Sequence, residues 1–130
     1  MSKQIKIKPL KGYSAFSKIY KIAHKKRSNR LFIAFTFSEE VTNTLFLGVS
    51  SPKKQTKKAV GRNRAKRLLR ESIRQLNNED NNLLSNFNKI ILVWQEPVLS
   101  PSLLRLNDVK NEVKNLLNRA LIKKDEIHIN

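Results

Sequence analysis

One stretch limits the fold of this chain more than any other. From Ala59 to about Leu76 the apolar and the basic residues separate onto opposite sides of a helix. At about 100° per residue, Ala65, Leu68, Leu69 and Leu76 gather on one side, and Asn63, Lys66, Arg67, Arg70 and Arg74 on the other. Arg62 and Arg64 flank the basic stripe at its N-terminal end. The apolar side must cover a core. The basic side has few acids to answer it: residues 53–74 hold ten basic side chains and one acid, Glu71. Like charges at i,i+4 destabilise a helix, so this side faces either solvent or phosphate.

The remaining segments supply a surface for that helix to cover. Leu31–Phe37 (LFIAFTF) is aromatic and β-branched and reads as a strand. Thr44–Ser51 follows after a polar connection, so the two are expected to form a hairpin, ended by Pro52. Lys89–Trp94 (KIILVW) is continuously apolar, the pattern of a strand buried on both faces. Gly12–Ile22 places Phe16, Ile19 and Tyr20 at helical spacing. A last helix carries Leu106, Val109, Val113, Leu116, Leu117 and Ala120 as a stripe that covers the sheet. Asn77–Asn88, rich in asparagine and without periodicity, reads as an exposed connector. The order is αββαβα, an α+β arrangement with helices packed on a sheet. One domain is expected over residues 10–124, with flexible charged tails at 1–9 and 125–130.

Charge then narrows the function. Lysine and arginine number 27 against 10 acids, a formal charge of +17, and 39% apolar residues suffice for only one modest core. Such an excess repels itself unless a polyanion relieves it, and phosphate backbones do so by releasing counterions. No apolar run approaches the roughly 20 residues of a membrane span, and the start Met1–Leu10 has no signal-peptide core. A cytoplasmic, membrane-free protein is expected. Cysteine is absent, His24 and His128 stand alone, and the acidic pairs Glu39-Glu40, Glu79-Asp80 and Asp125-Glu126 do not resemble a two-metal carboxylate cluster. No nucleophile with a base, no glycine-rich phosphate loop and no metal set emerges, so no cofactor is expected on the protein itself.

The segment Lys53–Glu71 (KKQTKKAVGRNRAKRLLRE) concentrates the chemistry. A basic loop runs into a helix N-terminus, where unpaired N–H groups and the dipole already favour an anion. Arginine adds bidentate phosphate recognition. Lys53, Lys54, Lys57, Lys58, Arg62, Asn63, Arg64, Lys66, Arg67 and Arg70 are the candidate phosphate contacts. A solvated charged face is the alternative.

Arg62-Asn63-Arg64, followed by Lys66-Arg67 and Arg70-Glu71, with Ala59-Val60 and Lys53-Lys54 upstream, resembles the RNR motif of the bacterial ribonuclease P protein component. The Phe16/Tyr20 pair and the strand ending Leu47-Gly48-Val49-Ser50 extend the resemblance over most of the chain. The chain departs from the pattern at Lys57, where glycine is frequent, and at Gln95-Glu96, where a basic residue is common. The resemblance implies an α/β sandwich whose central mixed sheet has a left-handed β-α-β crossover, against the usual hand. It implies two partners, the catalytic RNA of ribonuclease P on the arginine helix and its loop, and the 5′ leader of precursor tRNA in a cleft of the first helix and the sheet. Phe16, Tyr20, Phe35, Ser50 and Lys54 would line that cleft. Catalysis would belong to the RNA, which would also hold Mg2+, so no catalytic residue and no obligatory protein partner are assigned here.

The residues alone leave two readings of Phe16 and Tyr20. One helical turn apart, they can stack unpaired bases at about 1–3 kcal/mol each, or they can be core, as aromatics on an amphipathic helix usually are. Two other functions share the composition. A structural RNA-binding protein of ribosomal type would carry the same basic helix, and a DNA-reading factor would need a major-groove recognition helix, for which no preceding helix-turn and no dimerisation element is evident.

Overall fold

The computed structural model describes residues 4–10, 13–39 and 43–129, with the backbone alone for 13–15 and 123–129. Its elements in chain order are β1 (Lys6–Pro9), α1 (Tyr13–Ile22), β2 (His24–Arg27), β3 (Leu31–Phe37), β4 (Thr44–Ser50), α2 (Ala59–Glu79), α3 (Asn81–Leu84), β5 (Phe87–Trp94) and α4 (Leu106–Ile129). A short 3-10 turn, Pro101–Leu103, precedes α4. The helices and strands expected from the sequence are all present in the expected order, and two edge strands join them.

The sheet has the order β1-β4-β5-β3-β2. β5 runs parallel to β4 and antiparallel to β3, with which it pairs from Leu31↔Trp94 to Phe37↔Phe87. β4, α2 and β5 therefore form a β-α-β unit with adjacent parallel strands. The expected β3–β4 hairpin does not exist, because β5 lies between the two strands. A strand that is apolar at every position has two faces to bury, and only the middle of the sheet offers that. The hairpin is instead β2–β3, closed through Ser28–Arg30, where the Ser28 N–H donates to the Leu31 carbonyl (2.8 Å).

The expected N-terminal tail, residues 1–9, is also corrected from Ile5 onward, residues 1–3 lying outside the described residues. Ile5 is buried, and Lys6–Pro9 pair in parallel with Thr44–Leu47. What ties them down is Asn77. Its amide accepts from the Ile5 N–H (3.0 Å) and donates to the Ile5 carbonyl (2.7 Å), standing in for a neighbouring strand. Asn77–Asn88 is thus no exposed connector: α2 continues to Glu79, Asp80 caps α3 by accepting from the Leu83 N–H (3.3 Å), and Leu83 and Leu84 are buried. At the other end the α4 backbone stays helical through Ile129, past the expected boundary at 124.

Each face of the sheet has its own core. On one, α2 and α4 close over Leu31, Ile33, Phe35, Leu45, Leu47, Ile90, Leu92 and Trp94, with Leu69, Ile73, Leu76, Val109, Val113 and Leu117 wholly buried. Each such side chain contributes about 1.5–3 kcal/mol by leaving water, which makes this layer the source of most of the stability. On the other face only Ile19, Ala34, Ile91 and Val93 are buried, under α1.

Candidate nucleic-acid interface

The basic loop is held from within. The Gln55 and Thr56 N–H groups donate to the Pro52 carbonyl (3.1 Å each), and the buried Thr56 hydroxyl accepts from the Val98 N–H (3.1 Å). Gly61 permits this approach, since a Cβ there would stand 2.8 Å from Thr56 Cγ2 and 3.0 Å from the Val98 carbonyl. The loop's four lysines, Lys53, Lys54, Lys57 and Lys58, are thereby left exposed. α2 begins at Lys58 in extended conformation with no side-chain cap (φ −83°, ψ 132°), so its first N–H groups lie at the foot of these lysines.

The arginines of the helix divide into two groups. Arg62 donates to the carbonyls of Thr56 (3.0 Å) and Lys57, and Arg64 donates twice to the Leu104 carbonyl (2.9 and 3.3 Å). They brace the loop and the turn before α4, and each half-buried guanidinium keeps donors to spare. Lys57, in the position where glycine is frequent, contributes its carbonyl to this brace. Arg67 and Arg70 are exposed and have no ion-pair or hydrogen-bond partner among the described residues, and Asn63 and Lys66 lie on the same side. Arg74 is paired with Glu71, whose carboxyl the Arg74 hydrogen bonds hold below the ordinary carboxylate range. An uncovered arginine face therefore exists, but its centre is Arg67 and Arg70, one to two turns further along than Arg62 and Arg64.

The second candidate surface is the α1 side of the sheet. Strand partners share a face, so the pairs Lys25↔Ala34, Arg27↔Phe32, Phe32↔Val93, Thr36↔Lys89, Gly48↔Ile91 and Ser50↔Val93 all lie on it. Phe16 and Tyr20 are half-buried, their inner edges on the small core and the rest open. Phe16 lies so close to Gly48 that any Cβ would fall 2.5 Å from its Cζ. Tyr20 stacks on Phe32 (6.1 Å between centroids, 30°), and burial raises its phenol pKa. Ser50 is half-buried on this face, and Lys54 is exposed in the turn that follows.

Phe35 does not belong here. It is fully buried on the opposite face, edge-on to Phe37 (5.3 Å) and Phe87 (5.6 Å). The aromatic of β3 on the open face is Phe32, with Phe46 half-buried nearby on β4 and Lys25, Arg27 and Lys89 around them. A signal for this was present in LFIAFTF. One alternate set is Leu, Ile, Phe, Phe and the other Phe, Ala, Thr, so the heavier set marks the core. Gln95 and Glu96 serve the β2–β3 turn: Gln95 accepts from Arg27 (3.4 Å), and Glu96 accepts from Arg30 (2.8 Å), whose guanidinium lies over Trp94 (5.0 Å).

Among the described residues no group of three potential metal ligands occurs, and no helix is long and apolar enough to cross a membrane. His24 packs beside Phe35 (5.7 Å) and Phe37 (5.1 Å), while the His128 side chain lies outside the described residues.

Comparison with known proteins gives a family and a fold. The family model described as Ribonuclease P matches residues 5–121. The fold is similar to that of the Staphylococcus aureus RNase P protein (TM-score 0.65, 22% identity, covering 86% of this chain and 94% of that one). It is similar also to the RNase P protein from Thermotoga maritima (TM-score 0.62, 23% identity, covering 80% and 89%). No curated protein sequence matches significantly.

Proposed function

Since the chain belongs to the ribonuclease P protein family, its function is that of the RNA-binding protein subunit of ribonuclease P, and we propose how its two surfaces divide that work. The loop Lys53–Lys58 and the exposed side of α2, centred on Arg67 and Arg70 with Asn63 and Lys66, hold the catalytic RNA. Arg62 and Arg64 brace this surface and offer their remaining donors to it. The open face of the sheet, with Phe16, Tyr20, Phe32 and Ser50, and Lys54 at its edge, receives the single-stranded 5′ leader of precursor tRNA, bases stacking on the rings and phosphates meeting the surrounding lysines. Hydrolysis at the 5′ end of the mature tRNA is carried out by the RNA, which holds most of the Mg2+. The protein adds leader affinity and neutralises charge between two polyanions. It works in the cytoplasm and needs no other protein.

The observation that supports this most directly is a run of cations without partners among the described residues, the four loop lysines followed along α2 by Lys66, Arg67 and Arg70. A protein at +17 that leaves these unpaired is built to meet phosphate. The test is to mix the full chain with a ribonuclease P RNA and end-labelled precursor tRNA at low magnesium. Protein-dependent release of the leader is expected. Tight binding to ribosomal RNA with no stimulation of cleavage would overturn the proposal in favour of a ribosomal-type protein.

A further inference from the structure

Because β1 is the outermost strand, α2 reaches beyond the closed core at that edge and leaves a groove of about 300 Å3. Its floor is apolar, made by Ile7, Pro9 and Leu47, and its rim on α2 is cationic, made by Arg70 and Arg74. The two arginines play different parts. Glu71 accepts two hydrogen bonds from the exposed Arg74, which orient its guanidinium as a flat plate. Arg70, one turn earlier, has no ion-pair partner among the described residues and keeps its full charge for a ligand. An inorganic phosphate would gain nothing from the floor, and an apolar ligand nothing from the rim. What uses both is a flat, weakly polar ring joined to a phosphate. The volume lies at the lower end of the roughly 300–1,000 Å3 of small-molecule sites, which limits the occupant to one such unit.

We infer that this groove receives a single unpaired nucleotide of the RNA lying along α2, its base against Ile7, Pro9 and Leu47 beside the Arg74 plate and its phosphate on Arg70. Bases splayed out of an RNA stack pack against guanidinium planes and apolar side chains in this way. The inference rests on the reading that α2 carries RNA, and it adds to that reading a buried base, the part of the contact that is insensitive to salt because it releases no counterion.

Two measurements on the full chain test it. In the first, methyl resonances of Ile7 and Leu47 are followed during titration with uridine and adenosine 5′-monophosphates, and separately with inorganic phosphate. The nucleotides are expected to shift them and phosphate is not. Silence towards both nucleotides, or equal shifts with phosphate, would overturn the inference. In the second, Ile7→Trp fills the groove without changing charge. Binding to ribonuclease P RNA is expected to weaken by roughly ten-fold, the order of one lost base stack, with the salt slope falling by no more than the roughly 0.7 of the one phosphate contact at Arg70. If Ile7→Trp binds normally while Arg67→Ala still flattens the slope, the groove is wrong and the α2 surface stands. If the native protein fails to bind that RNA, the underlying reading falls and takes the groove with it. Should Ile7→Trp fail to fold, the titration on the unaltered chain decides.

Discussion

The two faces of the sheet are made from the same strands and have opposite fates. Towards α2 and α4, alternate residues of β3, β4 and β5 interlock into a continuous layer in which Phe35 and Trp94 are wholly buried. Towards α1, a helix of 10 residues covers the middle only, leaving Phe16, Tyr20, Phe32 and Phe46 half-exposed among Lys25, Arg27 and Lys89. The lesson is one of parity. Phe32 and Phe35 are three residues apart in one strand, yet one is available to a ligand and the other supports the fold.

Substitutions can break that contrast. The largest effect is expected at Phe35→Ala, which should cost about 3–5 kcal/mol of stability in denaturant unfolding. Phe32→Ala should cost about 1 kcal/mol and instead lower affinity for the leader by about 1–3 kcal/mol, measured as precursor against mature tRNA. Equal losses of stability with unchanged leader affinity would erase the distinction between the faces. Gly48→Ala sharpens it. The new methyl must displace the Phe16 ring, at about 1–3 kcal/mol of overpacking, and the preference for precursor tRNA should fall with it.

Smaller effects are expected on α2, where the braced and the free arginines form a second contrast. Arg62→Ala should lower stability by about 1–2 kcal/mol through its lost bonds to the loop carbonyls, seen as a lower thermal midpoint. Arg67→Ala should leave the midpoint unchanged and reduce the slope of log affinity against log salt by roughly 0.7–0.9. If the two variants behave alike, the division between bracing and binding is wrong. The smallest effect is that of Glu71→Gln, which should leave the thermal midpoint almost unchanged, as expected for an exposed ion pair. Since Arg74 lowers the folded pKa of Glu71, the pair stabilises above the ordinary carboxylate range and loses that effect as pH falls through the lowered value. Titration of the Glu71 carboxyl by NMR checks the direction.

Much of this was legible because amphipathic periodicity is strong where one side of an element is buried and the other charged. α2 and α4 could be read residue by residue, and so could the arginine stripe. Three features were hidden for identifiable reasons. β1 and β2 are Lys-rich edge strands, and edges carry charge that masks a strand pattern. Asn77 looked like loop composition because nothing in a sequence tells that an amide will replace a strand neighbour 72 residues away. The face of Phe35 was misjudged because both alternate sets of LFIAFTF contain aromatics, and only the weight of each set separates them. The partition of the arginines was also out of reach, since it depends on which carbonyls the loop and the turn before α4 bring near.

The place of β5 has a consequence for how the chain comes into being. β3 and β4 are made early, but each pairs with a strand that ends at Trp94, so the two halves of the sheet stay apart until that strand emerges from the ribosome. At about 5–20 residues per second the interval from Phe37 to Trp94 lasts roughly 3–11 s. Throughout it the nascent β2–β3 hairpin has a bare apolar edge, and settling must wait for contacts distant in sequence, which slows assembly. Truncations that stop short of Phe87 should therefore yield aggregation-prone fragments in which the two halves of the sheet never join, however complete their arginine helix.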